Sequence, residues 1–325
     1  MSASRSPESS ILTTPAGARA PELDPELAQL AAAFPDLTID DASLPTLRGQ
    51  LADMVQATEP SAGVTRTDHV VDEEAGVVVR VHRPVQASGP RACVYSMHGG
   101  GYVIGDRSMD DQRLDSWSSR FGCVGISVEY RLAPEHPFPA AHEDCLTGLE
   151  WVFGHADELG VDPARVGIAG VSAGGGLAAA LALAARDRAI PIRFAMLEAP
   201  MLDDRQITPS SQYEDLVIWS RASNSFGWRA YLAGLHSEVP AEAAPARAED
   251  LSGLPPTFIC VGGADGFRDE SIDYARRLGE AGVPTELHVY PGVPHGFELF
   301  VNTRVARQAH QDIEEWVERQ LRQVA

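Results

Sequence analysis

Between residues 92 and 323 the chain keeps changing register between two textures. Short apolar runs at 92–97, 123–129, 166–171, 194–198, 257–261 and 286–290 alternate with helix-patterned stretches at 110–121, 140–158, 175–186, 268–281 and 305–323. An unbroken apolar run of strand length is buried on both faces, and strands joined through helices run parallel. The rhythm therefore predicts α/β architecture, a mostly parallel sheet flanked by helices. With 325 residues, 44% of them hydrophobic, the chain has material for one large domain of this kind.

Other segments depart from the rhythm. Residues 1–20 are rich in Ser, Pro, Ala and Thr and are expected to be poorly ordered. Helical patterns follow at 25–34 and 47–57, and the alternation at 68–83 predicts a half-exposed strand. Residues 203–249 are too long for a plain helix-to-strand connection and carry Trp219, Phe226, Trp228 and Tyr231. They read as a helical insertion above the sheet, with the aromatics either packing inside it or walling a substrate.

Composition excludes several functions. All 26 basic residues are arginine, so chemistries that need a lysine, such as a Schiff base, a Walker-type phosphate loop or a Ser-Lys dyad, are closed. A net charge of −20 disfavours nucleic acid and anionic membrane as partners. The longest apolar stretch, 176–185, is too short to span a bilayer, and the N-terminus shows no secretory signal. A cytoplasmic location is the expectation. Cys93, Cys123, Cys145 and Cys260 form no C-x-x-C pair and are expected as reduced thiols. Cysteines and histidines lack metal-ligand spacing, so no metal is expected.

Two motifs carry chemistry. Gly170-Val-Ser-Ala-Gly174 fits G-x-S-x-G, in which a serine sits on a sharp turn between a strand and a helix. Small flanking residues are needed because backbone comes close on both sides. His98-Gly99-Gly100-Gly101 follows a separate apolar run. Successive glycines allow backbone N–H groups to converge on one oxygen, as acyl transfer requires, with Ala173 after the serine giving a further N–H.

A serine nucleophile needs a base and an acid, in the chain order Ser, Asp or Glu, His. His295 lies in a loop just after the last apolar run, whereas His288 is inside that run and His310 is on a helix. Asp265 is the first carboxylate after the preceding run. Asp269 and Glu270 are rivals that start a helix and are expected to cap it. Asp203 and Asp204 are weaker rivals. Glu129 and Asp144 are candidates for buried structural carboxylates.

Taken together, HGGGYVIGD (98–106), YRLAPEHPFPAAHED (130–144), GVSAGGG (170–176), PMLDDR (200–205), GGADGFRDES (262–271) and PHGFELF (294–300) resemble the hormone-sensitive-lipase-like esterases, the bacterial family IV branch of the α/β hydrolases. The resemblance implies an α/β-hydrolase fold with an eight-stranded sheet and a helical cap. The cap would come from residues 1–60 and 203–249, on a core of 61–202 and 250–325. It also implies Gly100 and Gly101 as oxyanion donors beside Ala173, with Gly99 shaping the loop. Val171 stands where the family usually has Asp or Thr, and Gly266 where it usually has proline, a change expected to loosen that loop. The activity implied is cofactor-free ester hydrolysis by Ser172, His295 and Asp265, with a small-molecule ester as partner; a roof formed by the aromatic insertion and the N-terminal helices, together with the acidic surface, adds the expectation of soluble short- to medium-chain esters. A homodimer stays open, as do amide, formamide or lactone hydrolysis and a ligand-binding receptor on this fold. A receptor should have lost part of the catalytic set, which is intact here.

Overall fold

The structure, a computed structural model, describes residues 18–33, 38–54, 59–86, 89–297, 300 and 302–322. The N-terminal stretch expected to be poorly ordered lies, up to residue 17, outside them.

Eight strands form one sheet in the order β1-β2-β4-β3-β5-β6-β7-β8. They are β1 Val64–Asp72, β2 Val77–Pro84, β3 Arg91–Met97, β4 Val124–Glu129, β5 Val161–Val171, β6 Ala195–Glu198, β7 Thr257–Gly262 and β8 Thr285–Tyr290. From β4 to β8 every pairing is parallel, and β2 runs antiparallel to both β1 and β4. The stretch read as one half-exposed strand at 68–83 is thus a hairpin. Its turn forms where Asp72 Oδ1 accepts the N–H groups of Glu74 and Ala75, each at 2.9 Å, and Gly76 takes a φ of +74°. Only Gly makes that backbone at no steric cost.

The helices are α1 Pro25–Ala33, α2 Leu44–Met54, α3 Asp111–Phe121, α4 Ala140–Gly154, α5 Ala156–Leu159, α6 Ala173–Asp187, α7 Arg221–Tyr231, α8 Arg268–Glu280 and α9 Arg304–Leu321. Side chains alternate across the strands, so the sheet feeds two cores. Val94, Ala169, Met196 and Phe258 pack with Leu114 and Trp117 of α3 and Ile313 and Trp316 of α9. Tyr95, Ile168, Leu197 and Ile259 pack with Leu149 of α4, Leu177 of α6 and Leu278 of α8. Phe194 illustrates the fit: a Cβ on Gly167 would lie 2.2 Å from its ring, so the glycine makes its seat. Burial of that ring is worth about 1.5–3 kcal/mol.

The insertion between β6 and β7 holds one α-helix, α7, and two 3-10 turns, Ser210–Gln212 and Pro245–Arg247. It is more loop than the expected helical unit. Hydrogen bonds fasten it: Ser210 N–H to Asp269 Oδ2 at 2.8 Å, Ala246 N–H to Leu202 O at 3.1 Å, and Ile39 N–H to Ser223 Oγ at 3.0 Å. The two N-terminal helices dock in different places. The α2 residue Arg48 donates to Val103 O and Ala133 O, each at 2.8 Å, whereas Leu27 of α1 is buried with Tyr290, Val293 and Val305. No helix among the described residues is long and apolar enough to cross a membrane.

Candidate active site

Strand β5 ends at Val171 and α6 begins at Ala173, leaving Ser172 alone in the turn with φ 57° and ψ −118°. Such a conformation costs an L-residue about 1–3 kcal/mol and survives only where neighbours enforce it. They do so here: Ser172 N–H donates to Glu198 O at 2.8 Å, and Ser172 O accepts from Met201 at 2.9 Å and Gly176 at 3.0 Å. The flanking glycines are obligatory. A Cβ on Gly170 would lie 2.1 Å from Gly174 O, and one on Gly174 would lie 2.0 Å from Met97 O.

The loops after β7 and β8 bring two partners. They are zipped together by Gly263 N–H to Tyr290 O at 2.7 Å and Ala264 N–H to Val293 O at 2.9 Å. His295 Nε2 then lies 3.0 Å from Ser172 Oγ, and His295 Nδ1 lies 2.8 Å from Asp265 Oδ2. The second oxygen of Asp265 accepts Phe267 N–H at 2.9 Å. All three side chains are buried, with Ser172 5%, His295 8% and Asp265 1% exposed. Three groups from distant segments form one hydrogen-bonded line out of bulk water.

The glycine loop lies against the serine. A Cβ on Gly99 would be 3.5 Å from Ser172 Cβ. Gly100 and Gly101 take φ values of +112° and +59°, and Gly100 O accepts the N–H groups of Val103 and Ile104, each at 3.0 Å. Ala173 opens α6, where the first N–H groups have no acceptor within the helix. His98 organises this loop from beneath: its Nδ1 pairs with Gly99 O at 2.7 Å and its ring stacks on Tyr130 at 4.1 Å. Burial pushes the His98 pKa down, which favours the neutral ring.

The sequence-picked aromatics separate. The Trp219 ring stands 6.3 Å from that of His295. Trp228 and Tyr231 gather around Tyr102, with ring centroids at 5.5 and 3.9 Å. Phe226 lies under the Arg229 guanidinium at 5.0 Å.

The rival carboxylates have other duties. Asp203 pairs with Arg205 at 2.7 Å and Asp204 with Arg247 at 2.6 Å. Asp269 and Glu270 do not cap α8, whose N-cap is Phe267 without a side-chain bond. Asp269 instead holds Ser210, and Glu270 reaches back to Leu202 N–H at 2.7 Å. Asp144 is buried against Arg131 at 2.7 Å, as expected of a structural carboxylate. Glu129 is not buried; its side chain is 32% exposed beside Arg107. Around Gly266 the backbone is tied rather than loose, since Gly266 O accepts from Ser210 Oγ at 2.9 Å. Sequence reasoning missed Phe267, whose ring meets His295 edge-on. An aromatic two residues after Asp265 was the available signal.

Residues 94–299, from inside β3 through the His295 loop, match the family model described as the alpha/beta hydrolase fold. The chain belongs to the α/β-hydrolase family, in its hormone-sensitive-lipase-like branch. Esterase LipI of Mycobacterium tuberculosis is 38% identical to this hydrolase over 85% of the chain and 88% of its own length. Carboxylesterase NlhH of the same species is 34% identical over 89% and 92%. Among solved structures, a bacterial heroin esterase superposes with a TM-score of 0.87 at 37% identity, covering 93% of this hydrolase and 98% of that chain. Esterase LipW from Mycobacterium marinum gives a TM-score of 0.85 at 39% identity, covering 92% and 96%. The hydrolase is a serine carboxylic-ester hydrolase.

Proposed function

We propose that Ser172 is the nucleophile, His295 the general base and Asp265 the acid that orients it. The single observation carrying this reading is the line Ser172 Oγ, His295 Nε2, His295 Nδ1, Asp265 Oδ2, with spacings of 3.0 and 2.8 Å. Ser172 attacks the ester carbonyl as its proton passes to Nε2. Asp265 keeps the Nδ1–H tautomer and stabilises the imidazolium that forms. The N–H groups of Gly100, Gly101 and Ala173 receive the oxyanion. His295 then returns the proton to the leaving alcohol. Water, activated by the same imidazole, cleaves the acyl-enzyme, and the cycle calls for no cofactor.

The substrates proposed are dissolved esters with short to medium acyl chains, met in the cytoplasm. The burial of the three groups supports this, as does Trp219 beside His295 on the 203–249 segment, read as one part of a cap. The net charge of −20 disfavours work at anionic lipid interfaces. A serine-directed organophosphate should label Ser172 alone, and nitrophenyl acetate should turn over far faster than the matching anilide. Labelling elsewhere would overturn the nucleophile, and an anilide rate equal to the ester rate would make this an amidase.

A further inference from the structure

Gly101 is contacted from above by two parts of the 203–249 segment. A Cβ on Gly101 would lie 2.1 Å from Trp219 Cη2 and 2.5 Å from Trp219 Cζ2, so the benzo edge of the indole rests directly on this glycine. A Cβ on Gly227, in α7, would lie 2.8 Å from Gly101 O. The helix therefore approaches the carbonyl that follows Gly101 Cα, in the next peptide along, so closely that only glycine fits there. Trp219 is set in place by its own surroundings. Ile218 before it holds a φ of +69°, a strained state for a β-branched residue. Ser220 after it caps α7 by accepting Ser223 N–H at 3.1 Å. Strain of this kind persists only where packing over-determines it.

We propose that Trp219 and the Gly227 face of α7 are positioning elements for the oxyanion site: they hold Gly101 Cα and the carbonyl beyond it from one side, while the Val103 and Ile104 N–H groups hold Gly100 O, in the peptide that carries the Gly101 N–H. Gly101 has no side chain to lock it, and a φ of +59° is one of several basins open to glycine. Without the two contacts Gly101 Cα can shift and carry the N–H off line, because hydrogen bonds then hold the donor peptide only at its Gly100 O end. Electrostatic stabilisation depends on donors that are already aimed when charge develops. The insertion thus acts on the rate of the chemical step as well as on which esters enter. This rests on the reading of Gly101 as an oxyanion donor.

The experiment compares Trp219→Phe and Gly227→Ala with the parent enzyme. Phenylalanine keeps an aromatic wall but lacks the benzo edge that reaches Gly101. Alanine at 227 pushes on Gly101 O. Each variant should lose at least about tenfold in kcat on nitrophenyl acetate, with KM little changed, because the displaced donor acts only in the transition state. Affinity for a trifluoromethyl ketone, whose serine adduct carries the oxyanion, should fall by the same factor. Thermal unfolding reports folding separately, and two dissimilar changes guard against one failing to fold. Unchanged kcat and ketone affinity in a folded Trp219→Phe, with only the acyl-chain preference moved, would make Trp219 a pocket wall and overturn the proposal. An amide-to-ester replacement at Gly101, which deletes its N–H and leaves every side chain in place, separates the two layers. If that enzyme keeps full kcat, the donor assignment itself has failed. If it loses kcat while both variants keep theirs, the donor stands and the positioning role falls.

Discussion

The Phe267 ring meets the His295 imidazole edge-on, with centroids 5.0 Å apart and planes at 89°, while the Phe267 N–H holds one oxygen of Asp265. The imidazole is therefore fenced by an aromatic edge as well as gripped by a carboxylate, and both restraints come from one short loop after β7. That loop, as much as the histidine, would set the proton path in the proposed mechanism.

Asp265→Asn should be nearly inactive at neutral pH. The amide offers the imidazole an N–H where a carboxylate accepted one, so the wrong tautomer is favoured; the comparable change in a serine protease costs about 10⁴ in kcat. Ser172→Ala should cost about 10⁶, with the fold kept. Asp269→Asn should be far milder, since Asp269 serves Ser210 and not the imidazole. Steady-state kinetics with unfolding curves checks all three, and a reversed ranking of Asp265 and Asp269 would move the acid.

Gly100→Ala should fold poorly or be catalytically crippled. The added Cβ would sit 2.0 Å from Ile104 O at a φ of +112°. A folded variant should show a loss in kcat of about 10²–10³, the usual cost of a displaced oxyanion donor. Near-normal kcat would mean the loop contributes no donor from this residue.

Acyl-chain dependence tests the enclosed site. Each buried methylene adds about 0.8 kcal/mol of binding until the pocket ends. Measured across nitrophenyl esters from acetate to palmitate, kcat/KM should rise and then fall within the short to medium range. A maximum at palmitate, or a jump in rate when substrate forms micelles, would identify a lipase instead.

Glu270 predicts a pH dependence of stability. Burial raises its pKa well above the usual carboxylate range, and the charges of Asp203 and Asp265 push the same way, against the N–H groups of Leu202 and Asp203. The unfolded chain ionises this group near pH 4.5 and the folded one resists. Its contribution to stability is full below that pH and is lost as pH rises through the higher folded value. Glu270→Gln keeps an acceptor for Leu202 and cannot ionise. The melting temperature of the variant minus that of the parent should therefore climb from pH 5 to pH 8. A flat difference would mean that Glu270 ionises as freely in the fold as outside it.

Much of this was legible in order along the chain. The alternation of apolar runs and helical stretches encodes the parallel sheet because burial on both faces leaves no polar positions to alternate. Ser172, Asp265 and His295 could be picked because each follows its own strand, and the ends of parallel strands meet on one side of the sheet. The glycines of 98–101 and 170–174 announced close backbone approach because no other residue tolerates it. Tertiary structure alone decided the rest. The hairpin at 64–84 was read as one strand because its short turn interrupts the pattern for only a few residues. Phe267 against His295, Glu270 on Leu202 and Trp219 on Gly101 join residues whose local patterns are those of any loop or helix start. Their roles arise from which surfaces the folded chain brings within van der Waals reach, and that reach is set by the packing of whole elements, which no local run of sequence contains.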